Sequence, residues 1–317
     1  MLSPRYLAVG FLSATILSTG PAIAWADDGS IVLDFVRHGE SGDMTAINTL
    51  VPGPDLTDAG EQQAQVLAGT LAHNGIDEIW ASTMIRSQET AIPLSETLGL
   101  PIQQPLAGLN EIDAGIFGGA PVNVGDLPLG GALYLLAPAL WTLGLPLVPE
   151  LGSTDANGIV FDQRVDEAVQ QIYDGSVAGD TDAVFSHEGT IAIWTLMNVK
   201  NPDFPLVLNE LSSKGELLPY TGQVVVSGEP GDWTLVSWDG TPVPQDPGLA
   251  TDLFVDFRNL IEAPQLAGYD IYEALLTANS ATIDSAIQAG LSQVDTALTQ
   301  FPAAVFDDIV TALGGSI

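Results

Sequence analysis

The sequence predicts an α/β fold: a three-layer, mostly parallel sheet with helices on both faces, an apolar helical insertion and a C-terminal helical extension. Three observations lead there. Short apolar runs end abruptly in polar residues, as in Ile31-Val32-Leu33-Asp34-Phe35-Val36, Glu78-Ile79-Trp80-Ala81-Ser82 and Ala183-Val184-Phe185-Ser186. Segments at helical spacing follow these runs, and repeated strand-then-helix order buries a parallel sheet between two helix layers. At 317 residues the chain can bury a sizeable core, and α/β folds of about 200 to 250 residues are often single domains.

The N-terminal segment reads as something other than fold. Met1-Leu2-Ser3-Pro4-Arg5-Tyr6 is short and basic, an apolar stretch runs from Leu7 to about Leu17, and small residues fill Ala22-Ile23-Ala24-Trp25-Ala26. That order is a secretory signal peptide over residues 1–26, and it implies an exported protein, secreted or held in the cell envelope. The apolar core is shorter than the roughly 20 residues a spanning helix needs. Residues 27–247 then form the α/β domain, with an insertion at about 120–155, and 248–317 the extension.

After the first strand and the loop Val51-Pro52-Gly53-Pro54, a helix starts near Thr57. Its apolar positions are Ala64, Leu67, Ala68 and Leu71, and Gly75 is a stop. His73, at the end of that helix beside Asn74-Gly75, reads as a helix-terminus cap. The strand at 78–82 leads into a second helix carrying Arg86, which Pro93 should kink or end early. Val165, Ala168, Val169 and Ile172 mark a helix before the strand at 183–186, and Gly189 to Asn198 the helix after it. Gln223 to Ser227 and Trp233 to Trp238, separated by Gly228-Glu229-Pro230-Gly231-Asp232, form a hairpin. From Leu127 to Pro149 there are 23 residues without a charge. Pro128, Pro138 and Pro146 break any single straight helix there, so a buried or lid-like insertion is favoured over membrane contact. Helical segments such as Thr282 to Leu298 and Ala303 to Leu313 fill the tail.

The charge balance narrows the function. Seven Lys and Arg stand against forty Asp and Glu, a net charge of −33 that becomes −34 without the first 26 residues. Such a field repels nucleic acid and anionic membranes and opposes anionic ligands at long range. The absence of cysteine removes disulfides, lipid attachment and thiol chemistry. Against that background Arg37 and His38 are adjacent at a strand end, Arg86 follows the second strand and His187 the third. A rare cation at the carboxyl edge of a sheet lies where open α/β folds keep their ligands, so the chain reads as a phosphate-handling enzyme.

The stretches LDFVRHGES, IWASTMIRSQETA, LNEIDAGIFGG and VFSHEGTIAIW, in that order, resemble the signature blocks of the histidine phosphatase superfamily, in the branch that includes the phosphoglycerate mutases. The resemblance spans roughly Ser30 to Gly240. It implies a metal-independent phosphomonoesterase without cofactor, acting on a small-molecule phosphate ester. His38 would be the nucleophile that forms a phosphohistidine, with Arg37, Arg86 and His187 holding the phosphoryl oxygens and Ser41 donating to them. Glu111 matches the acid that protonates the leaving oxygen and then activates water. Asp113 is its rival, because residues two apart in an extended segment share a face. Ser186 and Gly189 shape the turn around His187. The strand-end imidazole of His38 is expected to be exposed. The family usually has an asparagine shortly after the triplet. Here the residues 42–47 intervene before Asn48, which puts that contact in doubt, and Asp43 would stand near the entrance. The alternatives are mutase-like phosphoryl transfer, which suits an exported protein poorly, and a weakly catalytic envelope binding protein.

Overall fold

The computed structural model describes residues 29–42, 45–123 and 129–314, so residues 1–26, read above as a signal peptide, and Asp43 lie outside the described residues. Six strands form one mixed sheet in the order β2-β3-β1-β4-β5-β6. β1 (Ile31–Arg37), β2 (Glu78–Ala81) and β3 (Thr181–Ser186) are mutually parallel; β4 (Gln223–Glu229) pairs antiparallel with β1, and β5 (Asp232–Trp238) and β6 (Thr241–Pro242) extend the sheet from β4 with each neighbouring pair antiparallel. All seven residues of β1 are buried, as befits a central strand covered on both faces.

Alternation along β1 divides the core into two. Ile31, Leu33 and Phe35 join Val184, Val224, Val226 and Leu235 against α5 (Gly158–Gly175) and α6 (Glu188–Asn198). Val36 points the other way, with Ile79, Ala81 and Phe185, against α1 (Asp58–Leu71) and α2 (Ile85–Leu98). α1 begins where expected: the Thr57 hydroxyl caps it by accepting the Gly60 N–H at 3.1 Å, and Ala64, Leu67, Ala68 and Leu71 are its buried face. α5 is capped by Asn157, which accepts from Ile159 and Val160.

α2 does not end early at Pro93. It runs five residues past Pro93 and ends at Gly99, whose φ of 69° supplies the left-handed stop. Pro93 forfeits a single backbone bond, and burial of Ala91 and Leu94 on either side of it holds the helix together.

The uncharged insertion folds into two short helices, α3 (Leu129–Tyr134) and α4 (Leu136–Trp141), with Tyr134, Pro138 and Trp141 buried and Leu133 and Leu136 exposed. No helix among the described residues is long and apolar enough to cross a membrane. After β3 and α6 comes α7 (Phe204–Lys214), and the tail is a hairpin of α8 (Leu249–Leu276) and α9 (Ser280–Ala312). α9 is one helix through Pro302 rather than two segments. The buried Arg258 of α8 donates to the Leu196 carbonyl at 2.8 Å, at the end of α6, and Gln265 donates to the Gly144 carbonyl of the insertion.

One buried charge sets a pH dependence. Asp34, in the middle of β1, is 3% exposed with one carboxylate oxygen unpartnered, and burial pushes its pKa from 3.8 up to about 7. A carboxyl whose pKa is raised by folding stabilises fully below its unfolded value, and that contribution is lost as pH rises toward the folded value. Stability should therefore fall between pH 4 and 7, with Asp34 accounting for up to about 4 kcal/mol. Asp34→Asn should flatten that fall in urea melts across the same range. An unchanged slope would remove Asp34 as its source.

Candidate active site

The parallel register of β1 and β3 pairs Arg37 with Ser186, so the residues that follow, His38 and His187, come out side by side with ring centroids 5.1 Å apart. Gly39 completes the turn because α1 crosses it closely. A Cβ there would stand 2.7 Å from the Gly60 carbonyl oxygen. Arg86, in the first turn of α2 just beyond β2, donates through Nε to His38 Nε2 at 3.0 Å. His38 Nδ1 lies 2.7 Å from the Gly39 carbonyl oxygen. A carbonyl only accepts, so Nδ1 carries the proton, and Nε2, facing an N–H, presents its lone pair. Burial lowers the His38 pKa well below its ordinary value, with Arg86 and Arg37 adding to the effect. The imidazole is thus neutral and oriented. It is also 4% exposed rather than open to solvent, because His187 and Tyr220 pack around it.

Three buried nitrogens here lack a protein partner: the Arg37 Nε and Arg86 Nη1 donors and His187 Nδ1. Arg37, His38 and Arg86 line a cavity of about 280 Å³ together with Glu111 and Tyr220. His187 sits behind His38, fully buried, with Nε2 2.8 Å from the Ser82 hydroxyl, itself 2.6 Å from that of Ser87. If Ser82 donates to Nε2, the His187 proton resides on Nδ1. Burial, then Arg86, lowers its pKa well below the ordinary value.

Glu111 reaches the site from a loop. Its Oε1 accepts from the Ile112 and Thr190 N–H groups at 2.9 and 3.0 Å, and its Oε2 from Gly189 N–H at 3.2 Å, so the carboxyl sits on the first turn of α6. Gly189 permits this, since a Cβ would lie 2.8 Å from Glu111 Oε1. Asp113 is occupied elsewhere. It accepts from Thr154 and Gly115, and although burial opposes its charge, these bonds outweigh it and hold its pKa down. Arg164 locks the loop by donating to the Gly108 and Asn110 carbonyls and to Asp155, which in turn accepts from Asp113 N–H. The Tyr134 hydroxyl of the insertion donates to the Ile112 carbonyl at 2.6 Å. The insertion therefore meets the acid loop directly, and Tyr134 and Leu135 join Val122 in the cavity wall.

Ser41 and Asn48 exchange their expected places. Ser41 is buried in a bridge to Leu56, outside the cavity lining, with its hydroxyl unpartnered. Asn48 lines the cavity, because the Ile47 and Val122 N–H groups donate to the Ala120 and Thr45 carbonyls and hold residues 45–48 against the wall.

The acids around Arg37 carried little sequence signal. Its Nη1 bonds to Glu188 at 3.0 Å, to Glu216 and to the Leu218 carbonyl, and its guanidinium lies 4.2 Å from the centre of the Tyr220 ring. Glu188 at least stands beside His187. Glu216 and Tyr220 fall in a loop without periodicity or motif, and Tyr134 sits in a segment read only as apolar.

The chain has relatives in sequence and in structure. The family model for the histidine phosphatase superfamily (branch 1) matches residues 33–125. PE-PGRS family protein PE_PGRS11 of Mycobacterium tuberculosis is 48% identical over 299 residues, which cover 90% of this chain and 49% of that protein, so the chain spans about half the length of this relative. Among solved structures, a mycobacterial glucosyl-3-phosphoglycerate phosphatase superposes with a TM-score of 0.51 at 18% identity, covering 67% of this chain and 100% of the other. A mycobacterial hydrolase gives the same TM-score and identity over 67% and 99%. At that identity the likeness is one of fold.

Proposed function

We propose that this chain, which has the fold and the matched residues of the histidine phosphatase superfamily (branch 1), hydrolyses phosphomonoesters through a phosphohistidine on His38 without a metal ion. The observation that carries this reading is the neutral His38 Nε2 lone pair beside the unpartnered Arg37 and Arg86 donors. A phosphoryl group needs a nucleophile, positive charge on its nonbridging oxygens and a proton for the leaving alkoxide. Arg37 and Arg86 supply the charge, and His187, in the tautomer where Ser82 donates to its Nε2, supplies a further N–H from Nδ1. In the first step Nε2 attacks phosphorus, the P–O bond to the alcohol breaks, and Glu111 gives its proton to the departing oxygen. In the second, Glu111 takes a proton from water, the water oxygen attacks phosphorus, and the P–N bond breaks to release inorganic phosphate and neutral His38. The wall of Val122, Tyr134 and Leu135 favours an apolar body on the alcohol. Burying roughly 100 Å² of it is worth about 2.5 kcal/mol.

The test is phosphate release from an aryl phosphate and from a compact sugar phosphate, with chelator present. Turnover that survives the chelator and runs faster on the aryl ester is expected. Strict dependence on an added divalent ion would defeat the mechanism, and faster turnover of the sugar phosphate would defeat the role of the wall.

A further inference from the structure

We propose that the cavity selects phosphomonoesters whose alcohol carries an ammonium group, with Glu216 as the specificity-determining residue. The inference rests on the phosphatase reading above and deepens it.

The argument is a charge inventory. The chain has seven Lys and Arg. Arg37 and Arg86 line the cavity. Arg164 is committed to Asp155 and the loop carbonyls, Lys200 to Asp232, Lys214 to Glu210 and Asp239, and Arg258 to the carbonyls of Leu196 and Val199. Arg5 lies outside the described residues. Among the described residues, then, a second anionic group on a substrate would find no uncommitted cation. It would instead meet Glu188 and Glu216, which already share Arg37 Nη1.

The two acids are not equivalent. The Glu188 side chain is 22% exposed and also accepts the Leu217 N–H at 2.7 Å. That of Glu216 is 36% exposed, on the residue after the Gly215 that ends α7. When a phosphate dianion takes up the charge of Arg37, both carboxylates lose part of their counterion. Glu216, the more open of the two, then faces whatever the alcohol brings. An ammonium group restores the balance at Glu216, which lines the same cavity. A carboxylate or second phosphate worsens it.

Three esters of similar length separate the possibilities: aminopropyl, butyl and carboxyethyl phosphate, compared by kcat/KM with the full chain at low salt. We expect aminopropyl phosphate to exceed butyl phosphate by about tenfold, the scale of one partly screened charge pair, and the carboxylate ester to be slowest. Glu216→Gln should bring the ammonium-to-neutral ratio close to one, and Glu216→Asp should keep most of it. Because a substitution beside Arg37 can damage the site itself, the wild-type ratio is also read against salt, where it should shrink as screening increases. A wild-type ratio of one or less, a ratio indifferent to salt, or a ratio unchanged in an active Glu216→Gln would each overturn the assignment. Good turnover of butyl phosphate without preference for the ammonium ester sinks this inference alone. No turnover of any ester sinks the phosphatase reading with it.

Discussion

Replacing His38 with alanine is expected to lower kcat by at least about 10⁴-fold, since removal of a nucleophile takes away the covalent route as a whole. The fold should survive. The imidazole is buried but lines the cavity, so its removal enlarges an existing space and costs the hydrogen bonds to Arg86 and to the Gly39 carbonyl. The melting temperature should move by only a few degrees, roughly what a change of 1 kcal/mol produces in a domain of this size. Intact-mass measurement after an alkaline quench should show one phosphate on the wild type during turnover and none on the variant. Retained turnover in His38→Ala would remove His38 from the chemistry, and a collapsed melting temperature would show that the imidazole serves the fold.

The second large effect is selective. Glu111→Gln should slow alkyl phosphates by about 10²–10⁴-fold, the usual contribution of a general acid, while activated aryl esters lose far less because their leaving groups hardly need a proton. The glutamine can still accept an N–H through its amide oxygen, but its NH₂ would meet a second donor from Gly189 or Thr190. Any loss from that local misfit falls on both classes of ester, so the ratio between them isolates proton transfer. Equal losses would show that Glu111 merely shapes the first turn of α6.

Much of the frame was legible in the sequence because strand-end placement is a local property. Val36 followed by Arg37 and His38, or Phe185 followed by Ser186 and His187, records in a few residues both a buried strand and where it stops. The first helix could be placed from Thr57 and the apolar spacing of Ala64 to Leu71 for the same reason. What the sequence concealed depends on long closures. Glu216 meets Arg37 across 179 residues, and Tyr134 donates to a carbonyl 22 residues earlier. Neither pairing leaves a periodic trace. Pro93 did not end its helix because propensity is a local cost that buried neighbours offset, and Ser41 fell outside the cavity because a motif fixes the order of residues without fixing the direction of the chain after Gly39. Asp113 and Glu111 were inseparable in an extended segment. What distinguishes them is where the donors lie: Thr154 holds one and the first turn of α6 the other.

The pairing of β1 with β3 makes catalytic competence a proofreading signal for assembly. A slip of a single residue would turn every side chain of β1 to the opposite face. Asp34 would then be driven among Leu33's former neighbours beside Trp194, and His38 would no longer emerge level with His187. Such a molecule would lose the alignment of His38 with Arg86, so on the proposed mechanism specific activity in a refolded preparation counts the fraction of chains whose central strands are in correct alignment.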